Sequence, residues 1–345
     1  MLPEELATWV LCVECAILAS IVIVFLGHGL WLQRYKKWSH PLLTQAREAL
    51  TLALEDPTRG RQLLETFRTL PVRLQVRLFA ELAPTLSGAQ KQWLADLARE
   101  MCLTTRAESR CRSRLWWRRL QGARLVTLLG GRNAVMLPLL LDRHPYVRAQ
   151  AAEWAVSRQD SAVIDILLAL LGDPDGLCRF AVQDSLLRMG GTVIERLTSY
   201  LSAHSGSEVK AALEVAICLA DPRFLDPALT LSQDHLPQIR SLAATLLSTL
   251  GGQQAVNTLT TLLDDPAPSV RAAAAQALGK LSHWPAAPML VPLLRDQVWE
   301  VRREAGLALR ALGAPGFLFL RRALNDTNQF AADMARHILD LPHQV

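Results

Sequence analysis

Cysteine is scarce and unpatterned in this chain: there are six among 345 residues. Cys12 and Cys15 lie in an apolar run, and Cys102, Cys111, Cys178 and Cys218 are scattered through segments of helical spacing. That distribution excludes a disulfide framework and a zinc site. The C-x-x-C formed by Cys12 and Cys15 has no redox domain around it and reads as a pair of packed thiols. Strand-type alternation is nearly absent, which argues against sheet-based domains. There is no glycine-rich phosphate loop, nucleophile elbow, HExxH helix or clustered metal-ligand set. The expectation is a protein that binds rather than catalyses, with no cofactor.

Apolar residues are plentiful at 50% of the chain, enough to bury a large core. Their longest run, 8–32, is bracketed by Trp9 and Trp31, about one hydrocarbon thickness apart at helical rise. Glu4 and Glu5 precede the run, and Arg34, Lys36 and Lys37 follow it. A cleaved secretory signal would carry its basic residues ahead of the run, not behind it. The positive-inside rule therefore predicts a short extracytoplasmic tail at 1–7, one transmembrane helix over 8–32 and a basic juxtamembrane linker at 33–41. The remainder would lie on the cytoplasmic face of the inner membrane. Glu14, an ionisable group inside that span, is a candidate intramembrane docking residue, or a side chain reaching the nearby interface.

Charge is uneven. Residues 33–150 hold 21 Lys/Arg against nine Asp/Glu, whereas 151–345 hold 16 against 20. The basic half favours anionic partners, whether lipid head groups, an acidic protein face or nucleic acid.

The strongest positive signal is periodic. An apolar-basic pair returns nearly every 31 residues: Val147-Arg148, Cys178-Arg179, Val209-Lys210, Ile239-Arg240, Val270-Arg271 and Val301-Arg302. Six positions ahead of the base stands an acid, Asp142, Asp173, Asp234, Asp265 and Asp296, with His204 breaking the series. Seven positions after the base comes a packing residue: Ala155, Leu186, Ile217, Leu247, Leu278 or Leu309. Each unit thus predicts a Leu-rich helix, a turn that often holds Asp-Pro, and a second helix of small residues that begins at the pair. Mutual ion pairs and caps would occupy most of this ladder, with an acidic partner as the other use for its bases.

The Asp173-Pro174 and Asp265-Pro266 turns, the Val-Arg openings and the glycine stops Gly130-Gly131, Gly190-Gly191, Gly251-Gly252 and Gly313 resemble the HEAT-like repeat. The match is to its short version, found in phycobilisome lyases and deoxyhypusine hydroxylase. The resemblance covers 115–345 and implies an all-α, HEAT/armadillo-type α-solenoid. It departs at His204, at the shortened Ala220-Asp221-Pro222 turn, and in the last unit, where Asp333 replaces the base. The hydroxylase uses His-Glu pairs as iron ligands, and no His-Glu dipeptide occurs here, so that activity is excluded. Residues 42–103 read as diverged repeats, and 104–114 as an Arg-rich loop between them and the regular array.

The sharpest local cluster is Arg106, Arg110, Arg112, Arg114, Arg118, Arg119 and Arg124 around Trp116 and Trp117. It suits a solvated helix with the tryptophans in the core, a contact with anionic lipid or protein, or, least well, nucleic acid. The functional expectation is a membrane-tethered scaffold that binds a protein partner. The alternative is an accessory subunit of a membrane enzyme or secretion complex that docks through its membrane helix. A HEAT-fold lyase or a nucleic-acid-binding protein ranks below both.

Overall fold

The computed structural model describes residues 2–55, 67–82, 85–86, 88–129, 133–158 and 160–342. These residues form helices joined by turns, with no strand among them. They divide into two units: 1–113 with 124–132, and 114–123 with 133–345.

In the first unit α1 spans Leu2–Glu55, α2 Val72–Leu82, α3 Gly88–Glu100 and α4 Leu103–Cys111. Its core gathers Leu50, Phe67, Leu74, Leu78, Phe79, Leu94, Leu103 and Leu129. The Phe67 and Phe79 rings meet at 5.6 Å in a tilted pair. Buried Gln75 donates its amide to the peptide oxygens of Phe67, Arg68 and Leu70, which satisfies carbonyls that no helix serves.

Two expectations are corrected here. The single-pass anchor over 8–32, with the inner-membrane placement that followed from it, does not stand: among the described residues no helix is long and apolar enough to cross a membrane. The apolar run is instead the first part of a 54-residue helix that continues without a break through the linker expected at 33–41. That helix carries Glu14, Ser20, Gly27 and His28 within the run. Cys12 and Cys15 have side chains outside the described residues. The second correction concerns 104–114, which is helix α4 over most of its length, not a loop. Its buried Leu103, Ala107 and Cys111 share one helical face, which gives the segment a core to pack on.

The second unit begins within α5 (Trp116–Leu129) and stacks seven helix pairs. First and second helices are α6 (Asn133–Leu140) and α7 (Pro145–Ala155), α8 (Ser161–Leu170) and α9 (Gly176–Met189), then α10 (Ile194–Ala203) and α11 (Lys210–Leu219). There follow α12 (Leu225–Leu231) and α13 (Pro237–Leu250), α14 (Gln253–Leu262) and α15 (Pro268–Lys280). The last pairs are α16 (Ala287–Leu290) with α17 (Trp299–Ala311) and α18 (Ala314–Ala323) with α19 (Gln329–Asp340). Proline opens α7, α13 and α15, where its missing N–H costs nothing. Gly190, Gly251 and Gly313 end α9, α13 and α17 with positive φ.

Second helices pack on one another through alanine. Ala151, Ala243, Ala274 and Ala305 are fully buried, and so are the periodic packing residues Ala155, Leu186, Leu247, Leu278 and Leu309. The small side chains let neighbouring backbones approach; a β-carbon on Gly279 would sit 2.8 Å from the Ala308 Cα. For Gly279→Ala an overpacking penalty of about 1–3 kcal/mol opposes a helix-propensity gain of roughly 1 kcal/mol. The backbone on the facing side cannot yield, so the substitution should lower stability in urea denaturation; an unchanged or raised midpoint would contradict this packing.

Candidate functional site: the arginine ladder and the face it supports

In α7, α9, α13, α15 and α17 the basic residue stands three positions past the first residue of the helix, beside the turn that precedes it, whereas Lys210 opens α11. In α7 the Arg148 guanidinium reaches both ways along the stack. Its Nη1 donates 2.7 Å to the peptide oxygen of Asp142 in its own unit. Its Nε and Nη2 grip both Asp173 carboxylate oxygens of the next unit at 2.6 and 2.8 Å. Arg240 does the same with the Asp234 peptide oxygen and the Asp265 carboxylate. Arg271 repeats it with the Asp265 peptide oxygen and the Asp296 carboxylate. Each rung therefore ties two consecutive turns, and its partner lies 25 residues on, a spacing not evident within a single unit.

The same carboxylates order their own turns. Asp142, Asp173, Asp265 and Asp296 accept from the backbone N–H two residues later. The carboxylate therefore does not sit at the helix N-cap itself: the residue at the α15 N-cap is Ala267, and Asp265 binds its amide.

Sequence reasoning missed one rung. Arg119, grouped there with the arginine cluster, grips Asp142 at 2.6 and 2.7 Å and extends the ladder into α5. Its spacing of 23 instead of 25 concealed the kinship. At the far end Arg302 is 8% exposed and binds the Asp296 peptide oxygen. Its guanidinium lies 4.7 Å from the centre of the Phe330 ring, while Asp326 is held by Arg295.

Burial pushes the Asp142, Asp173 and Asp265 carboxyls up, but the arginine forks and turn amides overcome it and hold all three below the ordinary aspartate range. Arg119, Arg148 and Arg240 are raised by the same aspartates. Burial and the Asp173 carboxylate push the Cys178 thiol up to about 11, which leaves it protonated and unreactive near neutrality. No group of three or more His, Cys, Asp or Glu among the described residues could hold a metal ion.

Around this framework the remaining candidates disperse. Glu14 lies exposed on α1, and its reading as an intramembrane group goes with the span. Arg106, Arg110, Arg112 and Arg124 belong to the first unit, while Arg114, Arg118 and Arg119 belong to the second. Trp116 and Trp117 are exposed rather than packed in a core. Trp116 stacks flat on His144 with centroids 3.9 Å apart and lies 6.1 Å from the Tyr146 ring.

A register relation unseen in the sequence links these aromatics. Two positions before the base stand Trp117 in α5, Tyr146 in α7 and Leu177 in α9, each about half exposed. Equal register on stacked helices forms a stripe along the array. Beside it, one position after the base, Phe180 is 68% exposed. In the later helices the stripe position holds Gln238, Ser269 and Glu300, so the apolar part is confined to the first three rungs.

The ladder also has a break. Arg179 donates to the Asp173 peptide oxygen at 2.5 Å, but the carboxylate position of the next unit is His204. Lys210, the following base, is exposed. Between α9 and α11 opens a groove of ≈570 Å³, whose walls include Asp173, Pro174, Arg179, Phe180, Gln183 and Lys210.

Models of HEAT repeats match residues 133–218, 225–310 and 256–336, more than half of the chain. No curated protein matches the sequence. Among solved structures, the karyopherin Kap121p bound to the extreme C-terminus of the protein phosphatase Cdc14p shares 14% identity at a TM-score of 0.46, covering 86% of this chain and 40% of that one. Human deoxyhypusine hydroxylase shares 17% at 0.29, with 88% and 97% covered. The CpcE and CpcF complex of phycocyanin lyase from Nostoc sp. PCC7120 shares 20% at 0.31, with 52% and 100% covered. These likenesses concern the fold alone.

The ladder predicts an acid transition. A depressed carboxylate stabilises the fold above its unfolded value, near 3.9, and that contribution disappears as pH falls through the folded value. Stability should hold from neutrality to about pH 5 and decline below about pH 4. Asp265→Ala, which strands the Arg240 guanidinium, should remove about 3–5 kcal/mol at pH 7. Urea titrations of both chains across pH 3–7 test this: a difference below 1 kcal/mol, or one that persists unchanged at pH 3, would refute the assignment.

Proposed function

Because the chain belongs to the HEAT repeat family, whose stacked helices form long surfaces, we propose that it is a scaffold that holds a protein partner on its second helices. The supporting observation is the exposed stripe of Trp117, Tyr146 and Leu177 with Phe180 beside it. Large apolar side chains at matching positions of successive helices form a continuous band, and such bands mark interaction sites because water covers them poorly. Trp and Tyr are the residue types that dominate binding energy at protein interfaces. Exposed Arg114, Arg118 and Arg143 flank the band and give it a basic rim, which favours a partner with an acidic margin. The mechanism is recognition on a stiff surface. The bidentate rungs fix the spacing of the helices, so the stripe meets its partner without an ordering cost of its own.

The test is crosslinking of the full chain in its native cells, followed by mass spectrometry of what it captures, alongside a Trp117→Ala/Tyr146→Ala variant. Truncating two interface aromatics should weaken capture of a specific partner at least tenfold, since each costs more than about 1 kcal/mol. Equal capture by both chains would move the contact elsewhere, and turnover of a small molecule by the purified chain would replace the scaffold reading with an enzymatic one.

A further inference from the structure

The break in the ladder is a rung whose cations are in place and whose carboxylate is missing. Arg179 keeps the contact that Arg148, Arg240, Arg271 and Arg302 make with their own turns, so its guanidinium is held in the rung position. Its Nε and Nη2, the edge that in Arg119, Arg148, Arg240 and Arg271 grips a carboxylate, meet none among the described residues. His204, standing where the aspartate should be, is turned away. Its ring stacks on Tyr200 at 4.1 Å, and its Nδ1 lies 2.9 Å from the Tyr200 peptide oxygen.

The next rung is altered in a complementary way. Asp234 has the position of a partner for Lys210, yet its carboxylate accepts from the Gly206 amide at 2.8 Å and the Leu236 amide at 2.8 Å, with His235 Nδ1 at 3.1 Å. Gly206 holds φ +71° there. The backbone has taken over what the base does elsewhere, and Lys210 makes no hydrogen bond or ion pair among the described residues. Of the acids that line the groove among the described residues, Asp173 is held by Arg148 and the Asp175 amide, and Glu214 accepts from the Gln183 amide at 2.8 Å. Two cations on facing helices therefore border one groove, beside the exposed Phe180 ring. The helices that form it, α9 and α11, pack less closely than α7 with α9 or α13 with α15.

We propose that this groove is the docking site for an acidic side chain of the partner protein. The partner's carboxylate takes on Arg179 the place that Asp142, Asp173, Asp265 and Asp296 take on the other arginines. Lys210 supplies a second cation, and Phe180 packs against an apolar neighbour of the acid. A planar carboxylate fits the Nε/Nη2 edge, as four other rungs of this array demonstrate. A polyanion such as nucleic acid fits less well, because residues 151–345 carry more acid than base. The proposal deepens the scaffold reading and rests on it.

A built-in competitor provides the test. His204→Asp restores the missing carboxylate, which should close the rung on Arg179 and raise the melting temperature by a few degrees. The probe is a fluorescein-labelled peptide of alternating aspartate and leucine, titrated with the full chain and followed by anisotropy. Binding should weaken about tenfold in Arg179→Ala, Lys210→Ala and His204→Asp, and stay unchanged in His204→Ala and in Arg321→Ala, an exposed arginine at the far end of the array. Wild-type affinity in a folded His204→Asp chain would overturn the proposal. So would an oligothymidine that binds more tightly than the peptide with the same dependence on Arg179. A cellular partner that His204→Asp still captures in full would overturn the groove and leave the scaffold standing. Loss of capture only in the Trp117/Tyr146 variant would lead to the same conclusion.

Discussion

One guanidinium joining two turns is the contact on which the second unit depends. A repeat array has no long-range closure to fix its geometry, so neighbours alone decide how each unit sits on the last. Alanine-lined helices provide close approach, but flat apolar contact leaves the helices free to slide. The rung removes that freedom. Arg148, Arg240 and Arg271 each bind a peptide oxygen in one turn and a carboxylate in the next through two parallel hydrogen bonds. Bidentate geometry specifies orientation as well as distance. The partly buried setting leaves those charges poorly screened, and the aspartate repeats its service by ordering its own turn. Apolar burial supplies the attraction between units and the rungs supply the register.

Variation on such a framework has consequences at defined places. Where the aspartate becomes His204, the base ahead of it keeps its position and meets no carboxylate among the described residues, the two flanking helices pack less closely and a groove appears. Where the ladder enters α5, the positions beside it carry Trp117 and then Tyr146 rather than the polar residues found further along. The regular part of the array, Arg240 to Asp296, has complete rungs and a polar stripe. The irregular part, Arg119 to Lys210, has both the exposed apolar band and the open rung. Departure from the repeat coincides with the surface proposed to hold another protein, the pattern expected where local consistency yields to function.

The regular array was legible in advance because each of its signals is local or strictly periodic. Asp-Pro turns, glycine stops and the 31-residue return of the apolar-basic pair act within one or two turns of helix, so units, helix order and packing residues follow from them directly. The reading failed where context decides. The segment 104–114 is polar and arginine-rich, and composition alone suggested a loop; three buried side chains on one face make it a helix. The apolar run at the amino terminus suggested a membrane span, yet it belongs to one helix that extends far beyond it through charged residues. Composition sees the run and not where the helix ends.

What the sequence by itself determined is the helical solenoid of the second unit, because helix propensity, turn chemistry and apolar period all act at short range and agree. What only the tertiary structure decided is which charges meet. Arg119 finds Asp142 across 23 residues, Arg179 finds no carboxylate among the described residues, Asp234 is satisfied by backbone amides, and Trp117, Tyr146 and Leu177 come into one register. Each of these depends on the rotation between neighbouring units, a quantity set by the sum of many packing contacts and carried by no single residue.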